Sequence, residues 1–468
     1  MCSINGFVAF KKSNFKVVEK IQDIIIRGEA RGKDSFGYVE FGSGGHSIHK
    51  FIDKPSNILT SGMQFENSDD EIKIVLNNNR AEPTTEFIDR KTLCDVQPFN
   101  YNKWWVVHNG TVANDKEIKN EYKVDFDSEI DSFVIPYMLN KRYNNDYDHL
   151  SILNCLRDDI LGSYALAAYR EGSKFLYLAT NYKPLYILYD SDNDVLYFSS
   201  IENYLKSSDY NVIYGKSNIM EVKPYTMLAV NIDTRDIESF SLYKEKERAR
   251  ALICASSGMD STVAATWAKS QGYDITLLHF EYHCRAEVRE RQSIEAIAKY
   301  LDAELVTIKT DFFRDVIKGS RLTGESDIIK EGDKGAELAY EWVPARNLIF
   351  MSIAAGYAEA HNIDYIVLGG NLEESGAYAD NELIFQTKFN DILPNALNLQ
   401  NRVEVLTPVA NLMKRDIVKM GLDLNAPLHL TWSCYENGDK HCGRCGPCFM
   451  RKTAFKMLNK PEVIEYYD

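Results

Sequence analysis

Residues 251–268 have the sequence ALICASSGMDSTVAATWA, in which a short apolar run precedes a loop of small residues and then a segment of helical composition. Such a loop would present backbone N–H groups and hydroxyls at the start of a helix, where the helix dipole and unpaired donors favour phosphate. The loop lacks the lysine and the spacing of a Walker A motif. The stretch therefore predicts a strand–loop–helix unit that binds a nucleotide phosphate, with a simple capped helix as the alternative.

Strands and helices alternate through the rest of the second half. Apolar runs and helical segments follow one another at 274–282, 287–303, 304–311, 347–362 and 364–371. This alternation is typical of βαβ units with right-handed crossovers. We therefore predict an α/β doubly wound parallel sheet for residues 250–468.

The first half has a different pattern. Short β-branched and aromatic runs are separated by Gly, Asn and Asp, as in KIVLNNNR (73–80) and KWWVVHNG (103–110). The charged run YKEKERAR (243–250) has no apolar periodicity, which favours a linker. We predict two domains, with a strand-rich α+β domain over residues 1–243.

Composition narrows the classes of protein. The chain has 468 residues, 45% hydrophobic and 26% charged, as in ordinary globular proteins. A net charge of −14 argues against a broad nucleic-acid surface. No apolar run has the length of a membrane span and no signal-peptide core is present, so we expect a cytoplasmic protein (in the host cytoplasm if it is viral) without a membrane partner. The nine cysteines are then ligands, nucleophiles or packing residues.

Cys2 follows Met1 in the run MCSINGF. Removal of Met1 would leave a thiol and a free α-amine on one residue, and an α-amine has a pKa near 8. The amine could then act as the base for its own thiol, as in N-terminal nucleophile enzymes. A small buried residue at the start of a strand is the alternative.

Further segments supply groups that glutamine hydrolysis would need. Asn109 and Gly110 end an apolar strand and offer oxyanion donors. Arg80 could bind an α-carboxylate and Asp131 an α-ammonium, although Asp127 competes with Asp131 for that role. A surface ion pair, a plain turn and a helix cap are the alternatives. The polar loop RGKDSFG (31–37) could cover such a site.

In the second half, polar residues follow strands or begin helices. The helix after Pro344 should begin near Ala345, which places Arg346 in its first turn. Glu374 and Asp380, together with Glu373, lie in the acidic segment 369–382 after a strand, where they could accept hydrogen bonds from a guanine-like edge. A solvated acidic loop is the alternative.

Four cysteines near the end of the chain have the spacing C-x7-C-x2-C-x2-C: Cys434, Cys442, Cys445 and Cys448. Four close thiolates suit a tetrahedral structural zinc ion, with an iron–sulfur cluster as the alternative. His441 is a candidate substitute ligand.

Residues 2–240 resemble class II glutamine amidotransferases. The segments CSINGF, RGKDSFG, NNNRAEPTTE, HNG and the Asp131 segment match that family's motifs in the same order. The resemblance implies a sandwich of the N-terminal-nucleophile type, with glutamine as nitrogen donor. It implies that Cys2 is nucleophile and base, that Asn109 and Gly110 form the oxyanion hole, and that Arg80 and Asp131 bind glutamine. Phe133 departs from the pattern, since many members have an acidic residue there.

Residues 250–456 resemble the 7-cyano-7-deazaguanine synthase family. The resemblance is carried by SSGMDS, EYHCRAEV, VPARNLIFMSIAAGYAE, LTPVANLMKRDIVKMG and LTWSCYENGDKHCGRCGPC. It implies an adenine nucleotide α-hydrolase-like sheet with a zinc-binding C-terminal subdomain. It also implies conversion of 7-carboxy-7-deazaguanine to the amide and then the nitrile, with ATP and Mg²⁺.

The same resemblance assigns residues to ATP and to the substrate. The implied ATP-binding residues are Ser256, Ser257, Gly258, Asp260, Ser261 and Arg346. Ser257 stands where the family usually has a second glycine, so we expect its Cβ to narrow the approach to phosphate. The predicted substrate-binding residues are Arg285, Glu374 and Asp380. The segments YHCR, which contains Arg285, and SGAYAD, which contains Asp380, depart from the family pattern near the expected substrate pocket.

The whole chain resembles fused amidotransferase–synthase proteins linked to archaeosine formation in tRNA and to deazaguanine modification of viral DNA. The resemblance leaves open a free base, tRNA or DNA as acceptor, and an amide, nitrile or amidine as product. Related synthases suggest a homodimer. An asparagine-synthetase-like ligase for another small carboxylate is the alternative enzyme, and a catalytically altered binding or conjugation protein, favoured by Ser257, is the alternative class.

Overall fold

The computed structural model describes residues 2–59, 72–81, 91–123, 127–206, 219–244, 248–313, 320–323, 341–375, 378–397 and 402–467. The chain divides into two compact units, Met1–Lys244 and Glu245–Asp468. Within these ranges, no helix is both long enough and apolar enough to cross a bilayer.

The first unit contains two antiparallel sheets. In spatial order, one sheet consists of β11 (Ile219–Glu221), β9 (Tyr186–Asp190), β10 (Val195–Ser199), β1 (Ser3–Ala9), β4 (Ile74–Arg80), β2 (Ser35–Gly42) and β3 (Gly45–Phe51). The other consists of β13 (Ile237–Ser241), β12 (Thr226–Asn231), β8 (Phe175–Thr180), β7 (Gly162–Arg170), β6 (Trp104–Val112) and β5 (Phe99–Tyr101).

Alternating side chains make this unit a four-layer sandwich. In β1, Ile4 and Val8 pack against Val107 of the facing sheet, whereas Phe7 packs on the opposite side with Ile21 of the helix Phe15–Arg27. This two-residue period is what a strand buried on both faces requires. The remaining helices are Pro55–Leu59, Asp115–Tyr122, Val134–Arg142, His149–Asn154 and Glu202–Leu205. The predicted N-terminal-nucleophile type of α+β sandwich is confirmed.

The second unit is built on one parallel sheet. Its spatial order is β16 (Glu304–Lys309), β15 (Asp274–Glu281), β14 (Arg250–Cys254), β17 (Tyr365–Val367) and β18 (Glu404–Leu406). The chain winds outward from β14 in both directions, so the order reverses between β14 and β17. Ligands of open α/β sheets bind at such a switch point, at the carboxyl ends of the strands.

Helices cover both faces of this sheet. Ile253 of β14 packs with the helices Met259–Ser270 and Glu287–Leu301, and Leu252 packs with Arg346–Ala360 and Leu383–Ala396. The other helices in the described part of this unit are Leu372–Ser375, Lys414–Asp423 and Gly446–Met457. The predicted doubly wound parallel sheet is confirmed.

Candidate active sites and metal centre

The ends of β1, β4 and β6 meet in the first unit. Ser3 pairs with Asn79, which places the preceding residue, Cys2, beside the end of β4, where Arg80 lies. Asn78 Nδ2 donates to the His108 carbonyl oxygen at 3.0 Å, which joins that end of β4 to β6. Cys2 is half-buried and Arg80 is buried. The structure therefore brings the predicted nucleophile and the predicted carboxylate-binding arginine to one edge of the sandwich.

Asn109 and Gly110 lie next to His108 on β6. Asn109 is buried, and its Nδ2 has no hydrogen-bond partner among the residues that the structure describes. An unsatisfied buried donor costs about 1–3 kcal/mol, so this amide is suited to a ligand oxygen. A Cβ on Gly110 would lie 1.8 Å from the Ser163 carbonyl oxygen, so only glycine fits there.

Asp131 is fixed to the same strand. Its Oδ2 accepts from the Val112 N–H at 2.6 Å, and its Oδ1 accepts from the Ser132 N–H at 2.6 Å. Asp127 is exposed, whereas Asp131 is held by backbone N–H groups, and the choice of Asp131 as the ammonium partner stays a prediction. Phe133 packs in a small apolar cluster with Phe99, which accounts for its departure from the expected acidic residue.

His108 connects β6 to Ser132, which follows Asp131, and to Ser163 of β7. Its Nδ1 lies 2.7 Å from Ser132 Oγ, and its Nε2 lies 3.1 Å from the Ser163 carbonyl oxygen. Burial lowers the pKa of His108, partly opposed by Asp131, so the ring is neutral and donates to the carbonyl through Nε2. Its role as a connector was missed because the sequence motif drew attention only to Asn109 and Gly110.

The loop RGKDSFG lies against the same edge. The Asp34 N–H donates to the Arg80 carbonyl oxygen at 3.0 Å, and a Cβ on Gly32 would lie 2.2 Å from the Asn79 carbonyl oxygen. This close approach fits the predicted position of the loop beside the site. Residues 82–86 of NNNRAEPTTE lie outside the described residues.

The second unit has a cavity of about 270 Å³ at the carboxyl ends of its strands. Seven predicted binding residues line it together: Ser256, Gly258, Asp260, Ser261, Arg346, Glu374 and Asp380. Gly258 caps the helix Met259–Ser270, as the sequence predicts for a phosphate loop. The helix Arg346–Ala360 begins at Arg346, and its Asn347 N–H donates to Asp380 Oδ2 at 3.3 Å.

A buried ion cluster lies beside this loop. Lys414 Nζ is 2.6 Å from Asp260 Oδ2 and 3.1 Å from Glu374 Oε1, and Asn371 Nδ2 donates to Asp260 Oδ2 at 2.9 Å. Burial raises the pKa of Asp260, against the attraction of Lys414. Glu374 lines the cavity as predicted but is bound to Lys414, which the sequence analysis missed.

Removal of the Lys414 side chain should strongly destabilise the second unit. We expect Lys414→Met to lower the free energy of unfolding by about 3–5 kcal/mol, because two carboxylates would remain buried without a cation. ATP-dependent activity should fall with it. Chemical denaturation and pyrophosphate release measure the two effects. The control is Lys419→Met in the same helix, because that residue pairs with Asp423 at the surface. Equal stability of the two variants would contradict this prediction.

The predicted positions of Ser257 and Arg285 differ from those in the structure. Neither is among the residues that line the cavity. Ser257 is fully buried, with a left-handed φ of 66°, and it does not line the cavity, which argues against the expectation that its Cβ narrows the approach to phosphate. Arg285 instead forms an ion pair with Glu436, with Nη2 2.7 Å from Oε1.

The left-handed backbone conformation of Ser257 predicts how a glycine at this position changes the stability of the protein. Ser257→Gly should raise the free energy of unfolding by about 0.5–1 kcal/mol, because glycine tolerates this φ and because the buried Ser257 Oγ has no partner among the described residues. Ser256→Gly, at a residue without a positive φ, should instead lower it by a similar amount. Urea denaturation of the two variants measures this. A less stable Ser257→Gly variant would refute the prediction.

The four predicted cysteines form a possible metal centre. Their sulfur atoms lie within 4.8 Å of one another, and Cys442 Sγ is 4.0 Å from Cys448 Sγ. A zinc ion with Zn–S bonds of about 2.3 Å needs sulfur separations of about 3.8 Å. The N–H groups of Cys442 and Cys445 donate to cysteine sulfurs at 3.3 Å, which stabilises thiolates. The spacing suits one ion better than a multinuclear cluster.

His441 is not a fifth candidate ligand. Its Nε2 accepts from the Ser433 N–H at 3.1 Å, and its ring lies against Trp432 with centroids 4.1 Å apart. His441 Nε2 therefore stabilises the cysteine-rich segment through a backbone hydrogen bond.

Comparison with known proteins gives the family. Residues 250–459 match the family described as "Queuosine biosynthesis protein QueC", and residues 87–207 match the family "Glutamine amidotransferase domain". A 7-cyano-7-deazaguanine synthase of Sulfolobus acidocaldarius is 44% identical over 473 residues, which covers 100% of both chains. This chain belongs to the 7-cyano-7-deazaguanine synthase family. A Saccharolobus solfataricus relative of the same name is 41% identical over 100% of this chain and 99% of its own.

Shorter members of the 7-cyano-7-deazaguanine synthase family match only the second half. The relative from Campylobacter concisus is 36% identical over 218 residues, which cover 46% of this chain and 98% of that relative. The glutamine amidotransferase domain is therefore an addition that some relatives have and others lack. The family assignment also removes the support for an asparagine-synthetase-like ligase.

Proposed function

We propose that this chain is a glutamine- and ATP-dependent C–N ligase that acts on 7-carboxy-7-deazaguanine. One observation carries the proposal. A phosphate-binding loop, a buried lysine and several carboxylates line one cavity, in a chain that matches 7-cyano-7-deazaguanine synthases over their full length. The amidotransferase domain would supply the ammonia.

In the first unit, the Cys2 thiol attacks the carboxamide carbon of glutamine, and the α-amine of Cys2 takes the thiol proton. Asn109 Nδ2 and the Gly110 N–H donate to the oxyanion. Arg80 binds the α-carboxylate and Asp131 binds the α-ammonium of glutamine. The α-ammonium group of Cys2 returns the proton to the amide nitrogen, the C–N bond breaks and ammonia leaves, and water then hydrolyses the thioester to glutamate.

In the second unit, a carboxylate oxygen of the substrate attacks the α-phosphate of ATP, and pyrophosphate leaves. The loop residues Ser256, Gly258 and Ser261 hold the pyrophosphate. Ammonia then displaces AMP to give the amide. A second ATP adenylates the amide oxygen, and loss of AMP and a proton gives the nitrile.

Asp260 is the residue best placed to hold Mg²⁺. Its Oδ2 is bound to Lys414, whereas its Oδ1 is buried without a hydrogen-bond partner in the described part of the chain. A free carboxylate oxygen is the ligand that Mg²⁺ prefers. When bound, the ion would neutralise charge on the phosphates.

The four cysteines are proposed to bind a structural zinc ion. All four ligands come from the protein, which leaves no open position for a substrate. The metal would therefore stabilise the C-terminal subdomain.

A free base is the proposed acceptor, in preference to tRNA or DNA. The net charge of −14 disfavours a polyanionic substrate. A binding or conjugation protein without turnover has lost its main support, because Ser257 does not line the cavity.

The test is pyrophosphate release by the purified protein with ATP. Release that requires 7-carboxy-7-deazaguanine, and that aspartate does not support, is expected. Release with aspartate alone would overturn the substrate assignment. Release only with deazaguanine-containing tRNA or DNA would move the acceptor to nucleic acid.

A further inference from the structure

Glu290 lines the cavity of the second unit, and its carboxylate has no role in the sequence analysis or in the proposed steps. It lies in the first turn of the helix Glu287–Leu301 and lines the cavity with the phosphate loop and Arg346. The residue is only half-buried, because one side faces the cavity. It was missed because a glutamate in a helix with many charges usually lies at a solvated face.

Three other carboxylates of the cavity lining are already bound. Asp260 and Glu374 share the cation of Lys414, and Asp380 accepts from the Asn347 N–H. The carboxylate oxygens of Asp260 and Glu374 that face Lys414 are occupied by its ammonium group, so they are not available to take a proton from a substrate.

Glu290 has different neighbours. It interacts with the Cys284 thiol and with the Arg346 guanidinium, and Glu287 of its own helix and Tyr282 of the adjoining segment are the other titratable groups near it. Arg346 Nη1 in turn donates to Tyr282 Oη at 3.2 Å. Glu290 thus lines the cavity with a single cation near it, Arg346, and that cation also binds Tyr282.

Two of the proposed steps release a proton inside this cavity. Ammonia that has added to the acyl adenylate must lose a proton as AMP leaves. In nitrile formation, the adenylated amide loses its N–H proton as the C–O bond to AMP breaks and the C≡N bond forms. Both steps need a base within reach of the substrate nitrogen.

We propose that Glu290 is the catalytic base that takes the proton from the substrate nitrogen. The inference rests on the proposed function. The carboxylate becomes a carboxylic acid, AMP carries away the C–O bonding pair, and the proton later passes to water. No oxidant or reductant is needed.

The electrostatic surroundings fit this role. Burial raises the pKa of Glu290 to about 7, against the lowering effects of Arg346 and Cys284. A base with a pKa near the working pH is charged in part and still accepts a proton readily. Because the active form is the carboxylate, nitrile formation should fall as the pH drops below about 7.

The experiment starts from 7-amido-7-deazaguanine and ATP, which bypasses glutamine and the first unit. Nitrile is measured by mass spectrometry and pyrophosphate by its release, across pH 5.5 to 9. We expect Glu290→Gln to lower nitrile formation by about 10²–10³-fold with little change in KM, and to remove the pH midpoint. Glu290→Asp should recover part of the rate. Adenylation should persist in both variants.

Glu295→Gln is the matched control, because Glu295 is exposed on the same helix. A Glu290→Gln variant with the wild-type rate and pH profile would overturn the inference. If Glu290→Gln does not fold, the pH profile of the wild-type protein still tests the inference. A rate of nitrile formation by the wild type that shows no titration midpoint near pH 7 would overturn the proposed role of Glu290. Failure of the wild type to form nitrile would instead contradict the proposed function.

Discussion

Replacing Cys2 by alanine should lower glutamine-dependent product formation by at least about 10³-fold, because the proposed nucleophile of the amidotransferase domain is lost. Ammonium salts should still support the reaction at the wild-type rate, because the second unit does not use the thiol. Product formation with glutamine and with ammonium chloride, measured side by side, separates the two activities.

Two controls make this result interpretable. Cys94→Ala removes an exposed cysteine of the same unit and should leave both activities unchanged. Intact mass should show that Met1 is absent from the purified protein. A Cys2→Ala variant that still uses glutamine would contradict the assignment of the nucleophile.

Replacing Cys448 by serine should remove the metal and unfold the C-terminal subdomain. Cys448 is fully buried in the helix Gly446–Met457, and Arg451 of that helix donates to the Leu428 carbonyl oxygen at 2.9 Å. Zinc binding to such thiolates is worth about 10–16 kcal/mol, comparable to or larger than the stability of most domains. Because Arg451 and Trp432 line the cavity, ATP-dependent activity should disappear with the metal.

Metal content by elemental mass spectrometry and circular dichroism measure this outcome. One zinc per chain is expected in the wild type, and less than a tenth of that in Cys448→Ser. His441→Gln should keep its zinc, because the His441 nitrogen accepts from Ser433 and a glutamine oxygen can replace it. A wild-type protein that contains iron, or a folded and active Cys448→Ser variant, would refute the structural zinc.

The strand-rich first unit and the parallel sheet of the second unit could be predicted from the sequence, because apolar runs bounded by Gly, Asn and Asp mark strands and because strands that alternate with helices mark βαβ units. In β1, Ile4 and Phe7 face opposite cores, and β14 alternates in the same way. The roles of Cys2, Asn109 and Asp131 are inferred from residue type and strand position, and they stay predictions. The cysteine tetrad needs only short spacings, which fix its geometry locally.

Lys414, Glu290 and Arg285 could not be assigned from the sequence. Lys414 begins a helix with a charged surface, and its partner Asp260 is far away in the chain. Arg285 lies near a predicted pocket, but its actual partner, Glu436, comes from the cysteine-rich segment. Tertiary packing decides which charged residues face the cavity, and neither periodicity nor spacing contains that information.

The most direct test of the proposed reaction follows the amide nitrogen of glutamine. The Met1-processed protein would be incubated with 7-carboxy-7-deazaguanine, ATP and glutamine labelled with nitrogen-15 at the amide, with Cys2→Ala in parallel. We predict labelled amide or nitrile in the wild type and none in the variant. Glutamate formation without any labelled deazaguanine would contradict the transfer of ammonia from the amidotransferase domain to this substrate.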